Sequence, residues 1–224
     1  MEGKDKITPE KIRKITHGMW IFRTLHAAVE LELFTKIAEG KTTINEIAEG
    51  LGVKERPIEK LLNACVALEF LVKEGESYGN SQVAGEFLVK GKPNYFGDMV
   101  VMFGSKDSFK DLKKAIETDA PVTESLDKRM ENKEHAEIFT KAMHNNAMGP
   151  AIVLSEKFDF SKFNKLLDVG GGSGAFSIVL TREHSNLKAS VFDLPNTCSV
   201  ADQYIHEADA SEKVSCLEGD FFKD

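Results

Sequence analysis

The sequence predicts an α/β protein in two parts, a helical N-terminal domain closed by a strand pair and a C-terminal domain in which strands and helices alternate. Three observations carry this. Apolar residues recur every three or four positions from Ile12 to Leu33. The stretch KLLDVGGGSGAFSIVL, residues 165–180, passes from a buried apolar run through four glycines into helical spacing. After it, KASVFDL and KVSCLEGDFF repeat the strand signal on either side of the helix-like SVADQYIHEA, giving the order strand, helix, strand, helix, strand that a parallel sheet requires.

Composition narrows the function. The 224 residues are 42% hydrophobic and 29% charged, the balance of a globular chain with a sizeable core. A formal net charge of -7 works against a nucleic-acid footprint, because phosphate contacts need clustered Lys and Arg. A small ligand is the better expectation. The start MEGKDKITPE has no apolar core for a signal peptide, and no run approaches the roughly 18 apolar residues of a membrane span, so a cytoplasmic protein with no membrane partner is expected. Cys65, Cys198 and Cys216 are odd in number and lack paired metal spacing. They read as reduced, buried thiols, with neither a disulfide framework nor a metal site.

Thr8 caps the first helix with Pro9 at its first position; Ile12, Ile15, Met19, Phe22, Leu25, Val29 and Leu33 form one face until Gly40 stops it. Trp20, Ile21, Ala28 and Leu31 widen the stripe, which suits either a partner surface or burial within the domain. Thr43 with Glu46 makes a capping box, EGLGV breaks that short helix, and Pro57 opens another through Leu61, Leu62, Val66 and Leu68. FLVKEGESYGN then reads as two strands around a turn at Gly75. Helix, turn, helix and strand pair make a winged-helix pattern, whose usual use is DNA binding. The would-be recognition helix carries Glu55, Glu59 and Glu69 against Lys54, Arg56 and Lys60, so it has no basic face, and a scaffold or dimerisation role is expected for residues 1–92.

Residues 93–160 form a helical linker. Met99, Val100, Met102 and Phe103, then Phe109, Leu112 and Ile116, then Ile138, Phe139, Met143 and Met148 indicate helices broken near TDAP and MGP. These side chains suit ordinary core or an adaptable wall around a flat apolar substrate.

In residues 161–224, Phe176, Val179 and Leu180 are available to pack the helix on the sheet. Right-handed crossovers put all three strand ends on one edge, and Gly170, Gly172, Asp193 and Asp220 sit there, as in a Rossmann-like domain. Glycine lets backbone approach a ligand closely, and the helix that starts beside it offers free N–H groups. Asp193 follows Gly174 by 19 residues, close to the spacing at which a carboxylate takes the hydroxyls of a ribose. A nucleoside cofactor is the reading, against a plain tight turn with a strand-end cap. Gly170, Gly172 and Ala175 fit the dinucleotide pattern G-x-G-x-x-A, whereas DVGGGSG reads as acid-x-G-x-G-x-G from Asp168.

The second form resembles the first motif of S-adenosylmethionine-dependent methyltransferases, and VFDLP and EGDFF resemble the second and third. With the N-terminal helix, the winged-helix segment and the FTKAM helix, the chain resembles small-molecule O-methyltransferases of the plant caffeate, acetylserotonin and bacterial carotenoid type. The resemblance implies an N-terminal winged-helix dimerisation domain followed by the first half of a Rossmann-like class I methyltransferase domain. It implies S-adenosylmethionine as cofactor, with Asp168, Gly170, Gly172 and Gly174 passing its methionine part and Asp193, with Leu194 beside it, at the ribose. Asp220 would accept from the adenine amine and Phe221 would pack on the adenine ring. Phe139 and Met143 would line the pocket of a small aromatic acceptor whose hydroxyl is methylated. A homodimer is implied, its N-terminal helix reaching the partner's site.

One departure stands out. The family's base is a histidine of a His-Asp pair after a later strand, and the sequence stops at Asp224, so the catalytic residue is unknown. In the family's strand order 3-2-1-4-5-7-6 the first strand would keep an open apolar edge. The expectation is therefore a fragment of a longer enzyme, or a chain completed by another, inactive alone. His144 is the one tempting substitute base and is expected to be a non-catalytic pocket or surface histidine. The competing class is a non-catalytic ligand-sensing or winged-helix regulatory protein.

Overall fold

A computed structural model describes residues 8–105 and 111–223. The chain divides into two compact units, Met1–Lys90 and Gly91–Asp224.

The first unit holds α1 (Glu10–Glu30), α2 (Leu33–Ala38), α3 (Ile44–Leu51), α4 (Glu55–Ala67), the hairpin β1 (Leu71–Glu74) and β2 (Ser77–Asn80), and α5 (Gln82–Phe87). Pro9, not Thr8, occupies the cap of α1, without a side-chain cap bond, and its carbonyl accepts the Arg13 N–H at 2.9 Å. The single helix expected up to Gly40 is two. Glu32 adopts a left-handed backbone, φ 56, which reverses the chain between α1 and α2. The Thr43–Glu46 capping box is present, and Gly52 ends α3 in the left-handed conformation. The helix expected to open at Pro57 begins two residues earlier, which places Pro57 in the first turn, where its missing N–H removes no helical bond. β1 and β2 pair antiparallel around Gly75. Leu33, Phe34, Ile47, Leu62, Leu71 and Tyr78 are fully buried and make this unit's core.

Along α1 only His26, Ala28 and Val29 are buried. Ile12, Ile15, Met19 and Trp20 stay 64–72% exposed, so the first turns of the apolar stripe remain outside this core.

The second unit comprises α6 (Gly97–Ser105), α7 (Leu112–Thr118), α8 (Leu126–Met130), α9 (Lys133–Lys157), β3 (Lys165–Val169), α10 (Ala175–Glu183), β4 (Lys188–Asp193), α11 (Pro195–Glu207) and β5 (Val214–Glu218). Phe109 lies outside the described residues. The break expected at MGP is absent: α9 runs unbroken through Pro150, at the cost of one backbone hydrogen bond. Both α6 and α10 pack along it.

The three strands are parallel in the order β3-β4-β5, with Asp168 opposite Val191 and Asp193 opposite Glu218. Ile178 of α10, Ala201 and Ile205 of α11, and Ala189, Val191 and Val214 form the core on one face of this sheet. On the alternate positions Leu167, Val169 and Leu217 are 53–57% exposed, and among the described residues β3 pairs with β4 alone. Val179 and Leu180 are buried as expected, but Phe176 is only half-buried, since it turns toward the cavity described below.

The expectation of three reduced thiols is overturned. Cys198 of α11 and Cys216 of β5 are joined as a disulfide, their Cα atoms 5.7 Å apart. The crossover lays the second turn of α11 over the middle of β5, a juxtaposition that a separation of 18 residues does not reveal. Cys65 is buried and free, and burial pushes its thiol pKa up to about 11. No helix among the described residues is long and apolar enough to cross a membrane.

Thiol titration of the denatured, unreduced protein should therefore find one reactive cysteine, and reduction should cost about 3 kcal/mol of stability, the loop-closure value for a cross-link of this span. A count of three thiols with unchanged melting on adding reductant would show that the pair is open.

Candidate active site

The C-terminal ends of β3, β4 and β5 open on a cavity of about 850 Å³, at the upper end of the range for small-molecule sites. Its floor is the turn from β3 into α10. Gly170, Gly172 and Gly174 all have positive φ, between 59 and 74, where a side chain would be strained. Gly171 is fixed by space instead: a Cβ there would lie 2.7 Å from the Asp168 carboxyl carbon and 2.9 Å from its backbone oxygen. The turn is pinned by Gly170 N–H donating to the Phe192 carbonyl at 2.8 Å and Gly174 N–H donating to the Gly171 carbonyl at 2.9 Å.

Asp193 ties this turn to the next strand. Its carboxylate accepts the Gly172 N–H at 2.9 Å and the Leu194 N–H at 2.7 Å, and its carbonyl accepts the Gly219 N–H at 3.0 Å. One residue thus joins the ends of all three strands. Asp168 accepts the Ser177 hydroxyl at 2.8 Å; burial raises its pKa, partly offset by that bond. At the third strand end Lys223 pairs with Asp220 at 2.7 Å, and this bond, with the Phe222 N–H, holds the Asp220 pKa below its ordinary value.

The opposite wall is apolar apart from Thr140 of α9, whose buried hydroxyl has no hydrogen-bond partner among the described residues. Phe139 and Met143 of α9 face the cavity with Leu126 and Met130 of α8 and Phe176 of α10. The short α8 is held by Asn196, whose side-chain amide donates to the Met130 and Glu131 carbonyls, both at 2.9 Å. His144, one residue beyond Met143, is not among the cavity-lining residues: its Nδ1 lies 2.8 Å from the Ser173 hydroxyl and its ring stacks on Tyr204 with centroids 3.7 Å apart. Burial pushes its pKa down to about 4, so the imidazole is neutral at neutral pH. Burial likewise raises the Tyr204 hydroxyl.

Among the residues singled out from sequence, Asp168, Gly170, Gly172, Asp193, Leu194, Asp220, Phe221, Phe139 and Met143 all line this one cavity. Gly174 does not; it caps α10, packed close to Val191. Sequence reasoning passed over Gly171, Ser173, Leu126 and Met130 and assigned Phe176 to the sheet, whereas all five line the cavity. The first two lie inside the quoted glycine run and were within reach; α8 is too short for periodicity to mark. Among the described residues no group of three or more His, Cys, Asp or Glu side chains could hold a metal ion.

A glycine turn at the first strand end, an acid after the second strand and another beyond the third thus share one cavity with a largely apolar helical wall, the arrangement of strand ends found in Rossmann-type domains. Residues 107–224 match the O-methyltransferase domain and residues 14–90 the O-methyltransferase dimerisation domain. The chain belongs to this O-methyltransferase family, and its architecture is a helical N-terminal dimerisation domain followed by an α/β methyltransferase domain. It is 35% identical over 221 residues to the 3-hydroxy-5-methyl-1-naphthoate 3-O-methyltransferase of Streptomyces sahachiroi, covering 96% of this chain and 64% of that one. It is 30% identical over 222 residues to the tetracenomycin polyketide synthesis 8-O-methyl transferase of Streptomyces glaucescens, covering 96% and 66%. Human N-acetylserotonin methyltransferase, crystallised in complex with S-adenosylmethionine, superposes with a TM-score of 0.81 at 24% identity, over all of this chain and 69% of that one. The chain thus spans about two thirds of the length of the curated relatives it matches.

The buried imidazole gives a pH signature. Its folded pKa lies below the unfolded value of 6.5, so the unfolded chain takes up the proton first as pH falls. The stability linked to neutral His144 is fully present above pH 6.5 and is lost as pH falls toward about 4, by up to roughly 3 kcal/mol. Urea denaturation across this window should show that loss in the parent and not in His144→Phe; identical profiles would mean that the imidazole protonates freely in the folded state.

Proposed function

We propose that this chain binds S-adenosylmethionine at the ends of β3, β4 and β5 and holds a small aromatic acceptor, to be methylated on a hydroxyl, against the α8–α9 wall. The observation that carries this is the single cavity shared by the glycine turn, Asp193 and Asp220 on one side and by Phe139, Met143 and Phe176 on the other. The cradle fits the cofactor: left-handed glycines at Gly170 and Gly172 leave backbone bare, and Gly171 admits no side chain. Each oxygen of the Asp193 carboxylate accepts one N–H and retains a second lone pair for a ribose hydroxyl. Asp220, which lines the same cavity, would accept from the adenine amine, and Phe221 would pack on the adenine ring.

When bound, the cofactor supplies an electrophilic methyl group on a cationic sulfonium. The cavity's own charges suit a cation: Asp168, Asp193 and Asp220 line it, and Lys223, the one lysine or arginine among its lining residues, is paired with Asp220. The apolar wall excludes water from the acceptor and orients it for in-line attack. Phe139, Met143 and Phe176 would hold the acceptor hydroxyl in line with that methyl group, so that a carbon–oxygen bond could form as the carbon–sulfur bond broke and the acceptor proton left to a base. The match of residues 14–90 to a dimerisation domain, with the exposed stripe on α1, supports a homodimer.

Calorimetry should find binding of S-adenosylmethionine or S-adenosylhomocysteine and none of NAD, and Asp193→Ala should weaken it by about 1.5 to 3 kcal/mol, roughly 10- to 150-fold. Binding of NAD with no binding of the sulfur cofactors would sink the assignment.

Light scattering at micromolar concentration should give a dimer, and Ile15→Glu with Trp20→Glu should shift it to monomer with little change in melting, since both side chains lie on the exposed side of α1. A parent that runs as a monomer would count against the dimer.

A further inference from the structure

The cofactor turn is built largely of glycine, and glycine loses more conformational freedom on ordering than any other residue. From the β4 side it is tied by the Asp193 and Phe192 oxygens. On its other side the turn carries one residue with a side chain, Ser173, only 3% exposed, and its hydroxyl meets His144 Nδ1 at 2.8 Å. The imidazole belongs to α9, immediately after Met143, and lies flat on the Tyr204 ring of α11 at 3.7 Å between centroids, 12° from parallel. Packing on Tyr204 thus holds the plane of the His144 ring, and the bond to Ser173 sets which edge faces the turn.

We propose that His144 is a positioning residue for the cofactor turn: through Ser173 it fixes the backbone of residues 170–174 and couples that backbone to the acceptor-wall helix α9. The inference rests on the cofactor reading given above. It assigns His144 no part in taking the acceptor proton, since Nδ1 is engaged, one ring face is covered and the residue is not among those lining the cavity. Burial keeps the ring neutral, so the pair with Ser173 is an ordinary hydrogen bond in either tautomer. Its value lies in where it acts. A bond to a turn of left-handed glycines reduces the number of states the turn must give up when a ligand binds.

Three variants separate this from a packing role. His144→Phe keeps a flat ring against Tyr204 and removes the bond; His144→Asn keeps a polar atom near the Nδ1 position and loses most of the stack; Ser173→Ala removes the other half. Two readouts are taken on the 224-residue chain at neutral pH, amide hydrogen exchange of residues 170–174 without ligand, and affinity for S-adenosylhomocysteine by calorimetry. His144→Phe and Ser173→Ala should each speed exchange in the turn and weaken binding about 5- to 30-fold. The double variant should be no worse than either single one, and His144→Asn should stay closer to the parent than His144→Phe. A packing role predicts the reverse order, with Phe the milder change, and that order would overturn the proposal. So would additive effects in the double variant, or a His144→Phe protein with parental exchange and affinity. If the parent binds no S-adenosylhomocysteine, it is the cofactor reading that fails, and exchange in the free protein then decides alone whether His144 fixes the turn.

Discussion

The Asp193 carboxylate is the joint on which the second unit's chemistry depends. It accepts N–H bonds from Gly172 and from Leu194, while its backbone carbonyl takes the Gly219 N–H, so the ends of three parallel strands are held in one geometry by one residue. The constraint works because β3, β4 and β5 are adjacent and in register, Val169 opposite Phe192 and Asp193 opposite Glu218. A shift of one residue in either pairing would turn Asp193 to the other face and leave the glycine turn without its partner. Fold and site are therefore one specification: the apolar positions that set the register also set where the carboxylate points.

The parts of this arrangement that were legible in sequence are those fixed by short-range rules. The capping box at Thr43 and Glu46, the hairpin around Gly75 and the glycine turn each depend on residues within a few positions of one another, and local chemistry settles them. What was misread depends on tertiary context. Glu32 carries no turn signature, and the reversal there is imposed by packing α2 into the core through Leu33 and Phe34. Pro150 reads as a break, yet α9 continues through it because α6 and α10 pack along the same helix and outweigh one missing bond. Cys198 and Cys216 look like unrelated thiols until the crossover brings α11 over β5. Phe176 shows the same limit within one helix: apolar spacing says that it is buried, and only the position of α9 decides that it faces a cavity and not the sheet.

Electrostatics separates the two walls of the site. The strand-end side presents carboxylates whose charges are partly compensated by N–H groups, a hydroxyl and one lysine. The helical side presents carbon and sulfur apart from the Thr140 hydroxyl, and the nearby histidine is neutral by burial. A cavity of this kind stabilises positive charge at one end and, among the described residues, presents no lysine or arginine at the other, where a carboxylate or phosphate ligand would require one. On the proposed reading this wall would select an acceptor by shape and desolvation, through side chains as adaptable as Met130 and Met143, more than by charge.

Because α8 is five residues long, it cannot hold its own position, and its place in the wall is borrowed from the cofactor side. Asn196, in the first turn of the helix that follows Asp193, donates to two carbonyls at the end of α8, and Pro195 before it fixes the entry angle of that turn. His144 makes the reciprocal connection from α9 to the glycine turn. Wall and turn are therefore braced in both directions by uncharged hydrogen bonds that lie outside the reacting volume. Their strength does not depend on ionic conditions, and on the function proposed above a displacement of either wall would be felt at the other as a change in the separation between acceptor and methyl donor. For an in-line displacement that separation is the quantity that decides the rate, since a misplacement of about 1 Å is enough to lose two orders of magnitude.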